Sequence, residues 1–474
     1  MAVNENLTTL KNISIDAGSL SSVKNFHPCI NYDNNTNTII ICNGKVNLSQ
    51  IFNTLNYSKV LEKNSDKNWV LNSNIIVQDN ASLYINNTDT KWLKIDLNKG
   101  AGYFIKSFGS LLINNTKITS WDSSINKFPL LTSNFVPRGT IQINSDHTDK
   151  TIITNSNLSY LGSGLSENSS GIFLDSKNNF VIKNNTLSNN YIGIYFSNLS
   201  GDNVITNNNI HDSLQHGILV SKIRNLNIIE NNIYNNNGNG IYCLNDCSNN
   251  NITNNKIYDN NLNGILLIDS DNNIIGNNIL YSNNFYGFTG SKNFNNTISK
   301  NIIVNNNKGI SVSSSNNNNI FKNLIEGSLT HGIELHYKSM KNIIDNNFIN
   351  HSGNNGIYIR DTSIGDNLIS NNKIIQNNYG VQFSRASDNN LVNNFVNHNN
   401  FDYYGKYGST NKITDTIFNH TRAKFFDSTS RFIIINTNNQ VIKNSFGIPN
   451  NIFSKNTTSI LYPIHKNIVI DTDR

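Results

Sequence analysis

An all-β chain wound as a single-stranded right-handed parallel β-helix, a solenoid with about 23 residues per rung, is what the sequence predicts. Three observations carry that reading. A Gly returns at a near-constant step, Asn-Asn or Lys-Asn pairs keep the same step, and short apolar/polar alternations lie between them.

The Gly, each followed by a β-branched or otherwise large residue, stands at Gly171, Gly193, Gly217, Gly240, Gly264, Gly287, Gly309, Gly332, Gly356 and Gly380. The pairs end at Asn185, Asn208, Asn232, Asn255, Asn278, Asn301, Asn323, Asn347, Asn372 and Asn394. One unit reads Gly264-Ile265-Leu266-Leu267-Ile268, then Asn273-Ile274-Ile275-Gly276-Asn277-Asn278-Ile279. Its segments alternate with the period of a strand, not of a helix. Strands this short are unstable alone and must stack on copies of themselves. Three per coil, with rungs about 4.8 Å apart, make a parallel β-helix whose ten clear rungs span about 45 Å.

Composition agrees. The chain has 474 residues, 37% hydrophobic and 14% charged, with a net charge of +6 and roughly a fifth Asn. Asn is a poor helix former, which argues against an ordinary α/β enzyme. Recurrent Ile, Leu, Val and Phe argue against disorder. A charge of +6 over this length is too dilute for a nucleic-acid binder. In a solenoid the Asn excess has a cause. Asn on one rung can hydrogen-bond its equivalents above and below, and Asn tolerates the left-handed conformation of sharp turns. The repeat Gly fits a similar turn.

Residues 1–70 read as an N-terminal cap with irregular first rungs, 71–400 as the β-helix, and 401–474 as last rungs and a C-terminal cap. The last stretch gathers Phe401, Tyr403, Tyr404, Tyr407, Phe425 and Phe426. Solenoid ends need such caps, because a bare rung exposes a polymerising edge. A capped solenoid is expected to be a monomer. Met1 to Lys11 has no apolar h-region and no 18-residue apolar run exists, so neither a signal peptide nor a membrane span is expected. Cys29 and Cys42 pair if the compartment is oxidising; isolated buried thiols, the blander reading, is the one favoured for all four Cys, including Cys243 and Cys247.

Several stretches resemble the right-handed β-helix repeat proteins of the alginate (mannuronan) C5-epimerase-like and NosD-like kind. Lys91-Trp92-Leu93 through Ile118-Thr119-Ser120-Trp121-Asp122 looks like that family's first rungs. Arg138 to Ile141, with Ile153-Thr154-Asn155-Ser156 and Ser159-Tyr160-Leu161-Gly162, is similar to its next stretch. His216-Gly217-Ile218-Leu219-Val220-Ser221-Lys222 resembles its H-G-I-ϕ-ϕ-S-R segment, with Lys222 in place of Arg. The resemblance covers about residues 70–400 and implies a carbohydrate-active protein outside the cell or at its surface, acting on an acidic polysaccharide. One departure stands out. Where the family carries G-I-D-P-H-D, one rung before H-G-I, this chain reads Gly193-Ile194-Tyr195-Phe196-Ser197-Asn198.

Alternation supplies a search rule for a displaced site. After each Gly, positions +1 and +3 are apolar and face inward, so +2 and +4 face outward in two columns. The family's Asp and His occupy those columns. Here the rung with the same chemical types is Gly332-Ile333-Glu334-Leu335-His336. The next rung adds Tyr358, Arg360 and the adjacent Asp361, and the one after adds Gln382 and Arg385.

Uronate epimerisation needs such groups. A cation must hold the substrate carboxylate as enolate-like charge develops, which Arg360 or Arg385 can do. A base must remove H5 and an acid must return a proton from the other face. His336, oriented by Glu334 or Asp361, is the candidate base, and Tyr358 the candidate acid. Without reprotonation the same parts give β-elimination, a lyase. Gln382, Arg385, His216 and Lys222 are candidate substrate contacts. The competing reading is an ordinary polar surface with an exposed ion-pair ladder, hence a catalytically inactive carbohydrate-binding or structural β-helix. His331 precedes its Gly as His216 does, which is consistent with a turn preference. No cofactor is expected. Calcium at the turn column of Asp246, Asp269 and Asp271 is the one metal reading, without the glycine-rich calcium repeat.

Overall fold

The computed structural model describes residues 28–97, 102–131, 136–144, 150–166, 169–175, 179–198, 203–362, 364–406, 411–418, 423–426, 432–435 and 468–470. It is a parallel β-solenoid of about 13 turns with about 24 residues per turn. Each full turn contributes one strand to each of three faces. The turn Ile265–Ile268, Ile274–Gly276, Ile279–Tyr281 stacks in register on Tyr286–Ser291, Thr297–Ser299, Ile302–Val304, with Ile265 opposite Phe288, Ile275 opposite Ile298 and Leu280 opposite Ile303.

The alternation argument holds for the core. The inward +1 and +3 residues, such as Ile265 and Leu267, Ile333 and Leu335, and Ile357 and Ile359, are wholly buried in one continuous apolar core.

Three Asn columns line the coil. The longest runs from Asn185 through Asn208, Asn231, Asn255, Asn278, Asn301, Asn323, Asn347 and Asn372 to Asn394. Each side-chain amide donates to the carbonyl oxygen of the next at 2.9–3.1 Å. The second amide hydrogen satisfies a core-strand carbonyl, as Asn278 does for Ile252 at 2.8 Å. The residue before each column member, from Asn184 through Asn277 to Asn393, has a positive φ. In most turns the Asn-Asn pair is thus two devices in one, the first residue turning the corner in the left-handed conformation and the second filling the ladder; at Asn231-Asn232 the register is one earlier, with Glu230 at the corner and Asn231 in the ladder.

The repeat Gly work differently from expectation. Among the described residues the first repeat glycine, Gly171, has a positive φ of 117°, but the nine that follow it from Gly193 to Gly380 do not. The cause is close approach instead. A Cβ at Gly264 would sit 2.6 Å from the carbonyl oxygen of Gly287, and one at Gly356 2.7 Å from that of Gly380.

At the N-terminal end Cys29–Asp33 pairs antiparallel with Thr38–Asn47, and the helix Leu48–Leu55 follows, N-capped by Asn47 with Gln50 in a capping box. Cys29 and Cys42 are joined by a disulfide with Cα atoms 5.1 Å apart, which corrects the isolated-thiol reading for this pair; the antiparallel hairpin brings them together. Cys243 and Cys247 are free and buried. The C-terminal aromatics beyond Tyr404 lie where side chains are not described. No helix among the described residues is long and apolar enough to cross a membrane.

Candidate active site on the outer wall

Register places the predicted residues in columns. On the first face the His331–His336 strand pairs with Lys308–Ser313 on one side and Asn355–Thr362 on the other, so Ser311, Glu334, Tyr358 and Gln382 succeed one another in the +2 column. Ser313, His336, Arg360 and Ser384 form the +4 column. Arg385 stands one residue further, in the turn, with φ of 49°.

Glu334 organises the cluster. Lys308 Nζ donates to its Oε2 at 2.6 Å and Arg360 Nε to its Oε1 at 2.9 Å. The outward position was expected to be exposed, yet the Glu334 side chain is only 1% accessible, because Lys308 and Arg360 close over it. Burial alone pushes the carboxyl up, but the two cations outweigh it and hold it at about 2. Asp361 accepts from Arg360 Nη1 at 3.1 Å and from Arg385 Nε at 2.5 Å. Arg360 is thereby committed to two carboxylates, while Arg385 remains 63% exposed.

His336 lies beside this network. Its Nε2 is 4.0 Å from Glu334 Oε2, too far for a hydrogen bond. The Ser311 hydroxyl bridges them, 3.3 Å from each. Direct orientation by Glu334 or Asp361 is therefore replaced by a carboxylate–hydroxyl–imidazole chain. His336 Nδ1 is buried with no hydrogen-bond partner among the described residues. Burial lowers the imidazole pKa and Glu334 only partly restores it, a balance that favours the uncharged ring. Tyr358 is half-buried between the His331 ring, 5.0 Å away, and the Arg360 guanidinium, 5.9 Å away. Gln382 follows it on the next turn.

Sequence reasoning missed Lys308, Ser311 and Tyr337, whose ring lies 5.1 Å from the Arg360 guanidinium. The column rule contained the signal for Ser311, since it stands two residues after Gly309. Lys308 precedes Gly309 as His331 precedes Gly332, a column that had been assigned to the turn alone.

His216 and Lys222 do not join the cluster. They flank the strand Ile218–Ser221, five turns before Glu334 on the same sheet, about 24 Å along the axis. His216 accepts from the Asn239 backbone N–H at 3.0 Å, and burial lowers its pKa to about 4. Lys222 is exposed in the turn beyond, at φ of 55°. Asp246 pairs with Arg224 at 2.6 Å, and among the described residues no group of three or more His, Cys, Asp or Glu converges on a common point.

Comparison with known proteins supports the architecture. The family model described as right handed beta helix region matches residues 243–396, and that of the periplasmic copper-binding protein NosD matches residues 97–262. No curated protein matches the sequence. Among solved structures, the periplasmic alginate epimerase AlgG is similar, with a TM-score of 0.54 at 18% identity over 84% of this chain and 85% of that one. A mutant of the same protein gives 0.56 at 19% identity over 83% and 85%. At such identities the likeness is one of fold. The repeat and the register make this chain a parallel β-solenoid, and the two family models, each matching about a third of it, with the AlgG structures show what it is similar to: right-handed β-helix proteins of the NosD-like and alginate-epimerase-like kinds.

Proposed function

We propose that the chain is a polyuronate-modifying protein, a mannuronan C5-epimerase-like enzyme whose reaction centre lies on the turns of Glu334, Tyr358 and Gln382. The observation that carries the reading is a half-buried imidazole, His336, aligned through Ser311 with a carboxylate and set beside a phenol and an exposed guanidinium.

In this reading Arg385 holds the substrate carboxylate through the exposed donors that its Nε bond to Asp361 leaves over, because Arg360 is tied to both Glu334 and Asp361. His336 takes H5 as a proton, and the C–H electron pair moves into the carboxylate as an enediolate stabilised by the nearby cations. Tyr358 gives a proton to the opposite face of C5, and water restores both groups. Glu334, Lys308 and Asp361 position the others. If the enediolate instead forms the C4=C5 double bond and expels the C4 oxygen, with Tyr358 protonating that oxygen as it leaves, the product is an unsaturated sugar and the protein is a lyase. Like the periplasmic epimerase AlgG, the protein acts outside the cytoplasm in this reading, a setting that suits the Cys29–Cys42 disulfide.

A second reading, a carbohydrate-binding β-helix without catalysis, is favoured by one observation: Tyr195 and Ser197 occupy the columns where the family carries Asp and His. Incubation with polymannuronate in deuterated water separates the readings. Deuterium at C5 supports the epimerase and new unsaturated ends support the lyase. Neither product, with binding retained, supports the binding protein.

A further inference from the structure

We propose that the third face of the solenoid carries a second site, built from Lys94 and Lys117 on a bed of Trp92, Trp121 and Phe128, that takes the carboxylate of an acidic oligosaccharide. It lies about eight turns, roughly 40 Å along the axis, from the His336 cluster and does not depend on the reading given to that cluster.

The two lysines are on paired strands, Trp92–Asp96 and Lys117–Trp121, with Lys117 opposite Trp92 and Lys94 opposite Thr119. Both ammonium groups lie over the same indole, Lys94 at 4.3 Å and Lys117 at 4.2 Å from the Trp92 ring centre. Lys94 is also 3.7 Å from the Trp121 ring, and Lys117 5.2 Å from Phe128. The rings are locked against one another: Trp92 on Trp121 at 5.4 Å, Trp121 on Phe128 at 5.2 Å, Phe128 stacked on Tyr160 at 4.5 Å. Trp92 Nε1 donates to Thr119 at 3.0 Å. This is a rigid platform, not a pair of trailing surface side chains.

What it lacks is a counter-ion. The cations of the His336 cluster, Lys308, Arg360 and Arg385, each hold a carboxylate. Among the described residues neither Lys94 nor Lys117 does. The neighbouring carboxylates are engaged in the chain's own turns, Asp96 by the Ser123 N–H at 2.9 Å and Asp122 by the Ser124 N–H at 3.0 Å. Burial lowers the pKa of both lysines, and the charge of Lys94 lowers Lys117 further. Two partly desolvated like charges are costly side by side, and cation–π contact offsets only part of that cost. An anion shared between the ammonium groups removes the repulsion.

The surroundings favour a sugar acid over a bare ion. Asp96, two residues along the same strand from Lys94 and so about 7 Å away, borders a polar cleft of about 490 Å³ lined also by Tyr32, Tyr57, Tyr103 and Glu62. Phenols and carboxylates of this kind bind hydroxyl groups. A carboxylate on the lysines then places an adjoining sugar ring in the cleft.

The chain contains its own probe. Of its three Trp, two form the site and Trp69, on the neighbouring strand, is buried in the core, so a ligand here alters the emission of the two outer indoles. Titration with hexamannuronate is expected to give a saturable emission change, and neutral cellohexaose none. The Lys94→Gln/Lys117→Gln double variant binds about ten-fold more weakly with an unchanged or higher Tm, whereas Lys94→Arg/Lys117→Arg retains binding. The emission change persists in His336→Ala, so loss of C5 chemistry and loss of this site are separate outcomes. No emission change with hexamannuronate, an equal change with cellohexaose, or equal affinity in the double Gln variant overturns the proposal.

Discussion

The same two outward columns run up the first face of the solenoid, and they have opposite characters in its early and late turns. Early on, the +2 column holds Phe173 and Tyr195, 3% and 6% exposed, which pack with Ile192, Tyr191 and Leu219 into a small apolar cluster outside the main core. Later the same column holds Ser311, Glu334, Tyr358 and Gln382, knitted by ion pairs and hydrogen bonds. The inward residues beneath are equivalent in both regions, Ile194 and Phe196 against Ile333 and Leu335. The repeat therefore dictates where each side chain points, because inward positions carry the core. It leaves the chemistry of outward positions free, and a site can move along the wall without disturbing the fold.

The contrast yields tests of decreasing size. Tyr358→Phe should lower inversion at C5 by about two orders of magnitude, the scale of losing a general acid. Deuterium exchange into the substrate should persist, because the base that opens the C–H bond is intact; NMR of the product reads both. Tyr195→Ala, in the early turns, should reverse that pattern: about 3 kcal/mol of stability lost in denaturant titration, as for burying less aromatic surface, with C5 exchange unaltered. Asn278→Ala should cost about 2 kcal/mol. It removes the donors to Asn301 and Ile252 and leaves Asn255 without its acceptor, so the loss is structural and equal in the presence or absence of substrate.

The smallest effect is on pH dependence. His216 and His331 have folded pKa values lowered to about 4 by burial, against about 6.5 unfolded. The unfolded chain binds more protons between those limits, so stability falls as pH drops from about 6.5 to about 4. Tm measured across that range should slope upward with pH. The slope should lessen in His216→Gln, an early-turn change that leaves the late cluster untouched.

The fold was legible because its signal is redundant: each inward Ile, each Gly and each ladder Asn recurs at one step, so a single misread unit changes nothing. The reason for the Gly was not legible, since a turn and a close backbone approach select the same residue. The columns of Glu334, His336, Tyr358 and Arg360 could be read for the same reason as the core. The partnerships within them could not. Lys308 reaches Glu334 from a position before its Gly, and Ser311 stands between Glu334 and His336, contacts that depend on side-chain length and rotamer and not on period. The Cys29–Cys42 bridge depended on an antiparallel hairpin outside the repeat, where periodicity is silent.

The central claim is that chemistry sits on the late turns, at His336, and not on the turns that resemble the family's usual site near His216. C5 deuterium incorporation into polymannuronate, measured in parallel for His336→Ala and His216→Ala, tests it most directly. The account predicts that incorporation disappears in the first variant and continues in the second. Incorporation that survives in His336→Ala and vanishes in His216→Ala would contradict it.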